Sequence, residues 1–186
     1  MRIIGGNFKG KKIFLPKDKN TRPLRDLVKE SIFNLILHSK KFECSLDNSN
    51  ILDLFAGVGS FGLECISRNS KKVTFFENYN DALYILKKNL KILNVNDKYE
   101  IINEDCFKFF NTERFFKEKF DIIFLDPPYK EKRTNLLINS ILDKKVLSNK
   151  GVIIIHKHKK DDIAISSRLK ILVQRNYGIS KIIVGN

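Results

Sequence analysis

The chain is predicted to be an α/β protein built on a mostly parallel, seven-stranded sheet with an antiparallel C-terminal hairpin. Three observations predict this. From Asn50 onward, apolar runs near 51–54, 73–77, 99–102, 120–125 and 151–155 alternate with helical patterns near 60–69, 81–94, 105–117 and 134–147. Strands that alternate with helices need right-handed crossovers, and therefore a parallel sheet covered on both faces. Two final extended runs, 170–177 and 179–184, have only Gly178 between them, which makes them a hairpin at the sheet edge. At 186 residues and 42% apolar content, the chain can bury one full core.

The first forty residues differ from the rest. Arg2-Ile3-Ile4, Gly5-Gly6-Asn7 and Phe8 through Leu15 read as strand, turn and strand, a β-hairpin ended by Pro16. From about Pro23 to His38, Leu24, Leu27, Val28, Ile32, Leu35 and Ile36 recur at three- and four-residue steps, which predicts a helix. Up to Glu30 this region holds nine basic and three acidic residues. Residues 1–40 are therefore expected to form a basic appendage, and residues 41–186 the main domain.

The net charge is +14, from 35 basic and 21 acidic residues. That excess favours a polyanionic partner, most simply nucleic acid. Lysine supplies 27 of the 35 cations, and Ile and Asn are also abundant, so an AT-rich coding sequence accounts for part of the bias. Cys44, Cys65 and Cys106 are an odd, scattered set without CxxC spacing. They point to reduced thiols in a cytoplasm, not to a disulfide frame or a zinc site, and no metal is expected. His156-Lys157-His158 lacks an accompanying ligand cluster and reads as a solvated strand-end pair of histidines, with Lys157–Asp162 as a solvated loop. No apolar run resembles a signal peptide or reaches membrane-spanning length.

Asp53-Leu54-Phe55-Ala56-Gly57-Val58-Gly59-Ser60 follows the first strand of the alternating region and opens a helix. Its glycines permit a tight turn and close approach of a ligand, and the helix start offers unpaired N–H groups. The pattern is neither GxGxxG nor a Walker motif, and Asp53 would repel phosphate. It would attract a cation, so the expected ligand is S-adenosylmethionine, which carries an amino acid end, a sulfonium and an adenosine. Glu77 ends the second strand 24 residues after Asp53, where dinucleotide folds place a ribose-binding acid, and Asn78 is its neighbour. Glu104-Asp105-Cys106 follows the third strand. An acid there can receive an adenine amino group, and Asp105 is also suited to cap a helix.

Asp126-Pro127-Pro128-Tyr129 follows the buried run 120–125. Neither proline donates to a ladder, so the strand ends and carbonyls are free to accept. A carboxylate, free carbonyls and an aromatic ring suit a planar base bearing an exocyclic amine. All four motifs lie at carboxyl ends of predicted parallel strands, the edge where open α/β sheets bind ligands.

Asp53-x-Phe55-x-Gly57-x-Gly59, Glu77, Asp105 and Asp126-Pro-Pro-Tyr resemble the class I S-adenosylmethionine-dependent methyltransferases, with a Rossmann-like fold, that modify exocyclic amines of bases. Arg2-Ile3-Ile4-Gly5-Gly6, Gly10-Lys11-Lys12 and Thr21-Arg22-Pro23-x-x-Asp26-x-Val28-Lys29-Glu30-x-Ile32-Phe33-Asn34 resemble the RsmD family, bacterial small-subunit rRNA guanine-(N2)-methyltransferases. Gly62-Leu63-Glu64 and Tyr177-Gly178 also match. The chain departs from that pattern at Leu24-Arg25, usually Thr-Thr, and at His156-Lys157, usually Glu-His.

The resemblance implies methyl transfer from S-adenosylmethionine to the N2 amine of a guanine in small-subunit ribosomal RNA, within a small-subunit particle, by a cytoplasmic monomer. Asp126, Pro127, Pro128 and Tyr129 would form the catalytic corner. Asp53, Phe55, Ala56, Gly57, Gly59, Glu77, Asn78, Asp105, Cys106 and Asp126 would hold the cofactor. Lys9, Lys11, Lys12, Arg22 and Arg25 would grip RNA phosphates. A DNA adenine-N6 methyltransferase and a non-catalytic RNA-binding assembly factor remain open, while a nicotinamide oxidoreductase lacks its GxGxxG.

Overall fold

The computed structural model describes residues 1–16, 24–129, 131–161 and 164–186. Arg22 and the Thr21-Arg22-Pro23 segment lie outside the described residues. After a short N-terminal arm come α1 (Asp26–His38), β1 (Asn50–Asp53), α2 (Ser60–Ser67), β2 (Lys72–Phe76), α3 (Asn80–Leu93) and β3 (Tyr99–Ile102). Then follow α4 (Cys106–Phe110), β4 (Phe120–Leu125), α5 (Thr134–Asp143), β5 (Leu147–His158), β6 (Ile171–Tyr177) and β7 (Ser180–Gly185).

The seven strands form one sheet in the order β3-β2-β1-β4-β5-β7-β6. β1 to β5 pair in parallel, and β7 runs antiparallel to both β5 and β6. Apolar side chains leave the strands toward both faces. Ile51, Val73, Ile122 and Ile154 join Ile32, Phe61 and Leu86 in one core, under α1, α2 and α3. Leu52, Ile123, Leu125 and Ile155 join Phe107, Ile138 and Ile141 in the other, under α4 and α5. The chain direction reverses sheet position between β1 and β4, so a crevice opens beyond the carboxyl ends of these two neighbours. No helix among the described residues is long and apolar enough to cross a membrane.

The N-terminal arm pairs its two legs, but as a hairpin with one bridge, Arg2 to Lys12, flanked by Ile3 N–H to Lys11 O (2.9 Å) and Ile13 N–H to Met1 O (3.0 Å). Phe8 is not the start of a strand. It closes a single 3-10 turn, Gly6–Phe8. The backbone groups of this turn bond helix side chains instead of a ladder: Phe8 N–H donates to Ser67 Oγ (2.9 Å), and that hydroxyl donates to Gly5 O (2.6 Å). Ile4 N–H donates to Glu64 Oε2 (2.8 Å), and Lys29 Nζ donates to Arg2 O (2.6 Å). Lys29 and Glu64 are both fully buried and lie 3.7 Å apart, and burial holds the Lys29 ammonium below its usual range. Ile3 and Ile13 sit in the same core as the sheet.

α4 is one turn and a half, not the helix expected over 105–117. Thr112 Oγ1 donates to Phe109 O (2.8 Å) and stops it. Phe116 then returns from a loop to pack perpendicular to Phe120, with ring centres 4.9 Å apart. The apolar spacing there serves an aromatic cluster, not a helix face. β5 is longer than expected, and it carries Lys157 as a buried strand residue paired with Asp161 at 3.4 Å. The stretch beginning at Lys157 is therefore not a solvated loop from its first residue; Asp162 lies outside the described residues.

Candidate active site

Five segments leave the sheet's carboxyl edge and enclose a cleft of about 510 Å³. The sequence-predicted residues Asp53, Phe55, Ala56, Gly57, Glu77, Asn78, Asp105, Cys106, Asp126, Pro127, Pro128 and Tyr129 all line it, as does Arg25. The volume falls in the usual range for cofactor and drug-sized ligands.

Its floor is the turn after β1. Gly57 and Gly59 take φ of 55° and 87°, the left-handed region where a Cβ is strained. A Cβ on Gly59 would also stand 2.5 Å from Leu86 Cδ1, so this glycine shapes the turn without lining the cleft. Gly57 N–H donates to Glu77 Oε2 (2.6 Å) and Tyr79 N–H to Glu77 Oε1 (2.8 Å). The carboxylate at the end of β2 thereby ties two loops together. Each of its oxygens retains a lone pair for a hydroxyl donor. Burial raises its pKa, against the opposing effect of those N–H bonds.

Asp53 is 1% exposed. Its Oδ2 accepts from Gly62 N–H (3.2 Å), and its Oδ1 is buried without a hydrogen-bond partner. Desolvation, with Asp126 and Glu77 nearby, pushes its pKa up to about 8. A buried carboxylate oxygen with no donor is costly, and a cationic ligand would relieve it. That is the fit expected for a molecule bearing an ammonium or sulfonium group.

At the opposite wall, Asp105 caps α4 by accepting from Phe107 N–H (2.7 Å). Phe107 and Phe55 meet with ring centres 5.9 Å apart, and the Arg133 guanidinium lies 4.0 Å from the Phe107 ring. These planes make an apolar slot suited to a purine. Glu104 also lines the cleft, with its carboxylate held by Arg114. Burial pushes the Cys106 thiol up to about 12, so it lines the cleft as a neutral group.

Asp126 stands one residue past β4. In the parallel register Leu125 pairs Ile155, which sets Asp126 beside His156. His156 Nδ1 lies 2.8 Å from Asp126 Oδ1, and its Nε2 lies 2.9 Å from Ser180 Oγ on β7. A carboxylate can only accept, so Nδ1 donates to Asp126, and Ser180 Oγ holds the other side of the ring. His156 is thus not a solvated strand-end residue: its side chain is 12% exposed, and it fixes one oxygen of Asp126. His158 is part-buried and stands perpendicular to Tyr129, ring centres 5.4 Å apart. Tyr129 remains 47% exposed at the cleft mouth.

The predicted RNA-gripping residues divide. Arg25 lies at the cleft, at the start of α1. Lys11 Nζ donates to Ile92 O (2.9 Å) in the last turn of α3, and the arm's turn rests on Ser67 at the end of α2. Both helices begin at the ligand edge of the sheet, so their ends lie at the opposite edge. Lys9 and Lys11 are grouped there, away from the cleft.

Strand order, reversed β7 and an acid-rimmed cleft with Asp-Pro-Pro-Tyr at its edge define a class I methyltransferase. Similarity places the chain within that class. The model of the family described as Conserved hypothetical protein 95 matches residues 1–186. Ribosomal RNA small subunit methyltransferase D of Buchnera aphidicola subsp. Acyrthosiphon pisum is 35% identical over 163 residues, spanning 88% of this chain and 81% of that one. The Haemophilus influenzae protein of the same name is 31% identical over 180 residues, 96% of this chain and 90% of that one. The solved structure of yhhF from Escherichia coli has the same fold, with a TM-score of 0.83 at 24% identity, covering 100% of this chain and 96% of that one. The chain belongs to the RsmD family.

Proposed function

We propose that the protein transfers a methyl group from S-adenosylmethionine to the exocyclic N2 amine of a guanine in small-subunit ribosomal RNA. The observation that carries the chemistry is a carboxylate, Asp126, pinned through one oxygen at the rim of a cleft whose floor holds the unpartnered Oδ1 of Asp53. The choice of guanine and of ribosomal RNA rests on family membership and on the net charge of +14.

Bound S-adenosylmethionine supplies a methyl group already activated by the positive sulfur. The residues of the chain divide the remaining work. Asp53 offers its free oxygen to the cationic end, and Glu77 accepts from ribose hydroxyls. Phe55, Phe107 and Asp105 hold the adenine. Asp126 uses its second oxygen, with the Pro127 carbonyl, to accept the two N–H bonds of the target amine. This draws the nitrogen lone pair out of the ring plane and into line, and positioning of that kind supplies a large part of a barrier reduction. As the C–N bond forms, the bond from the methyl to sulfur breaks, a neutral thioether leaves, and Asp126 takes the proton the amine sheds. His156 keeps the carboxylate from rotating away. Tyr129 stacks on the base, which must leave its own stack to enter; such stacking contributes about 1–3 kcal/mol per base.

The test is methyl transfer from labelled donor to purified small ribosomal subunits, to their naked RNA and to duplex DNA. N2-methylguanosine in the digested RNA is the expected product. Label in DNA alone would overturn the assignment.

A further inference from the structure

A second groove, of about 350 Å³, runs between the later half of α1 and the edge strand β6. We infer that it carries the RNA strand flanking the target nucleotide, with Lys40, Lys41 and Arg175 on its phosphates; this rests on the function proposed above.

Charge is the first argument. His38, Lys40, Lys41 and Arg175 line the groove, and no Asp or Glu does. Elsewhere on the surface, cations such as Lys71, Lys72, Arg114, Lys150 and Arg168 are compensated by carboxylates within 4 Å. Among the described residues, no such ion pair involves Lys40, Lys41 or Arg175, and all three are exposed. A concave surface lined by one sign of charge focuses its field and attracts polyanions.

Continuity is the second. α1 is a wall of both cavities: Leu24, Arg25 and Val28 face the cleft, and Leu35 and His38 face the groove. At the sheet edge, Tyr177 ends the groove and pairs in register with Ser180, whose hydroxyl reaches His156 and through it Asp126. Two strand spacings, about 10 Å, separate β6 from β5. A strand whose base enters the cleft beside Asp126 can therefore cross Ile179 and Tyr177 and descend along Arg175.

The groove also has the right polar character for a backbone. Asn34 and Tyr177 add neutral donors beside the cations. Donors of mixed type along a track suit phosphate and ribose contacts, not base reading.

Two charge-reversed proteins, Lys40→Glu/Lys41→Glu and Arg175→Glu, are compared with the parent and with Lys117→Glu/Lys119→Glu, which makes the double change of charge before β4. Binding to naked small-subunit rRNA is measured across salt concentrations, with melting curves confirming folding. The groove variants are expected to bind about tenfold more weakly, with the log–log salt slope smaller by about one per lost phosphate contact. The control should bind within about twofold of the parent, and affinity for S-adenosylmethionine should be unchanged in all. Parental affinity and slope in the groove variants, or equal weakening in the control, would overturn the inference. If the parent binds rRNA through the groove yet methylates none, the catalytic reading fails and the groove stands. If it methylates rRNA and the groove variants keep their KM, the groove fails and the catalytic reading stands.

Discussion

Asp126 and Asp53 are built differently, and their chemistry follows from that. Among the described residues, Asp126 is held through one oxygen, by His156. Asp126→Ala is expected to lower methyl transfer by on the order of 10²–10⁴-fold, while calorimetry shows cofactor affinity nearly intact. His156→Ala should cost about tenfold in kcat through loss of orientation, and His156→Asn should recover part of it, because the amide nitrogen reaches the place of Nδ1. A purely structural histidine would predict lower stability without that rescue. Asp53 is the reverse case. Its pKa is raised from 3.8 to about 8, so the folded protein favours its neutral form. This contribution to stability is fully present below the unfolded value and is lost as pH rises through about 8. A bound cation favours the charged form instead. Cofactor affinity should therefore rise with pH up to about 8 and level off above it. Asp53→Asn should abolish that dependence, weaken binding, and raise the melting temperature of the ligand-free protein most at alkaline pH. Asp53, Glu77 and Asp126 were legible in the sequence because each directly follows an apolar run that has to be a strand. His156 was not read, because its partner depends on which strands are neighbours and in what register, and neither is written locally.

Elements differ in how far local pattern decides them. β1, β2, β4 and the C-terminal hairpin lie close to their expected positions, since a buried strand needs a continuous apolar run. α4 was overread: Phe115 and Phe116 keep a helical spacing, but Phe116 is held by Phe109 and Phe120 from a loop. The arm was half read, because its legs pair as expected while its turn is fixed by Ser67 and Glu64, about sixty residues away. That dependence gives a test at the scale of the arm. Lys29→Met leaves Glu64 buried with Arg68 as its remaining cationic partner, a defect of about 3–5 kcal/mol when a buried pair is broken. Hydrogen exchange should show the Ile3 and Gly10 amides losing protection well before those of β4. Uniform loss would mean that arm and sheet open as one unit.

The whole molecule carries a charge of +14, with many exposed lysines outside any ion pair among the described residues and the cleft rimmed by acids. Substrate and cofactor should therefore respond to salt in opposite degree. RNA affinity should fall by orders of magnitude between roughly 50 and 200 mM salt, as counterions compete for phosphates. Cofactor affinity should change little, because Asp53 is buried and Glu77 half-buried, so both are poorly screened. Filter binding and calorimetry over the same series would measure both; parallel slopes would mean that RNA is not held through its backbone.

The packing of α1 has a further consequence for how the protein comes into being. Ile32 and Ile36, made early, share their core with Val173, Ile182 and Val184, made last. Emerging from a ribosome, the first helix has no complete seat until the final hairpin arrives, and contacts so distant in sequence form slowly. The nascent chain therefore cannot complete the groove beside the first helix before its last strand has left the ribosome, and premature termination before β7 would leave that helix's apolar face open to aggregation.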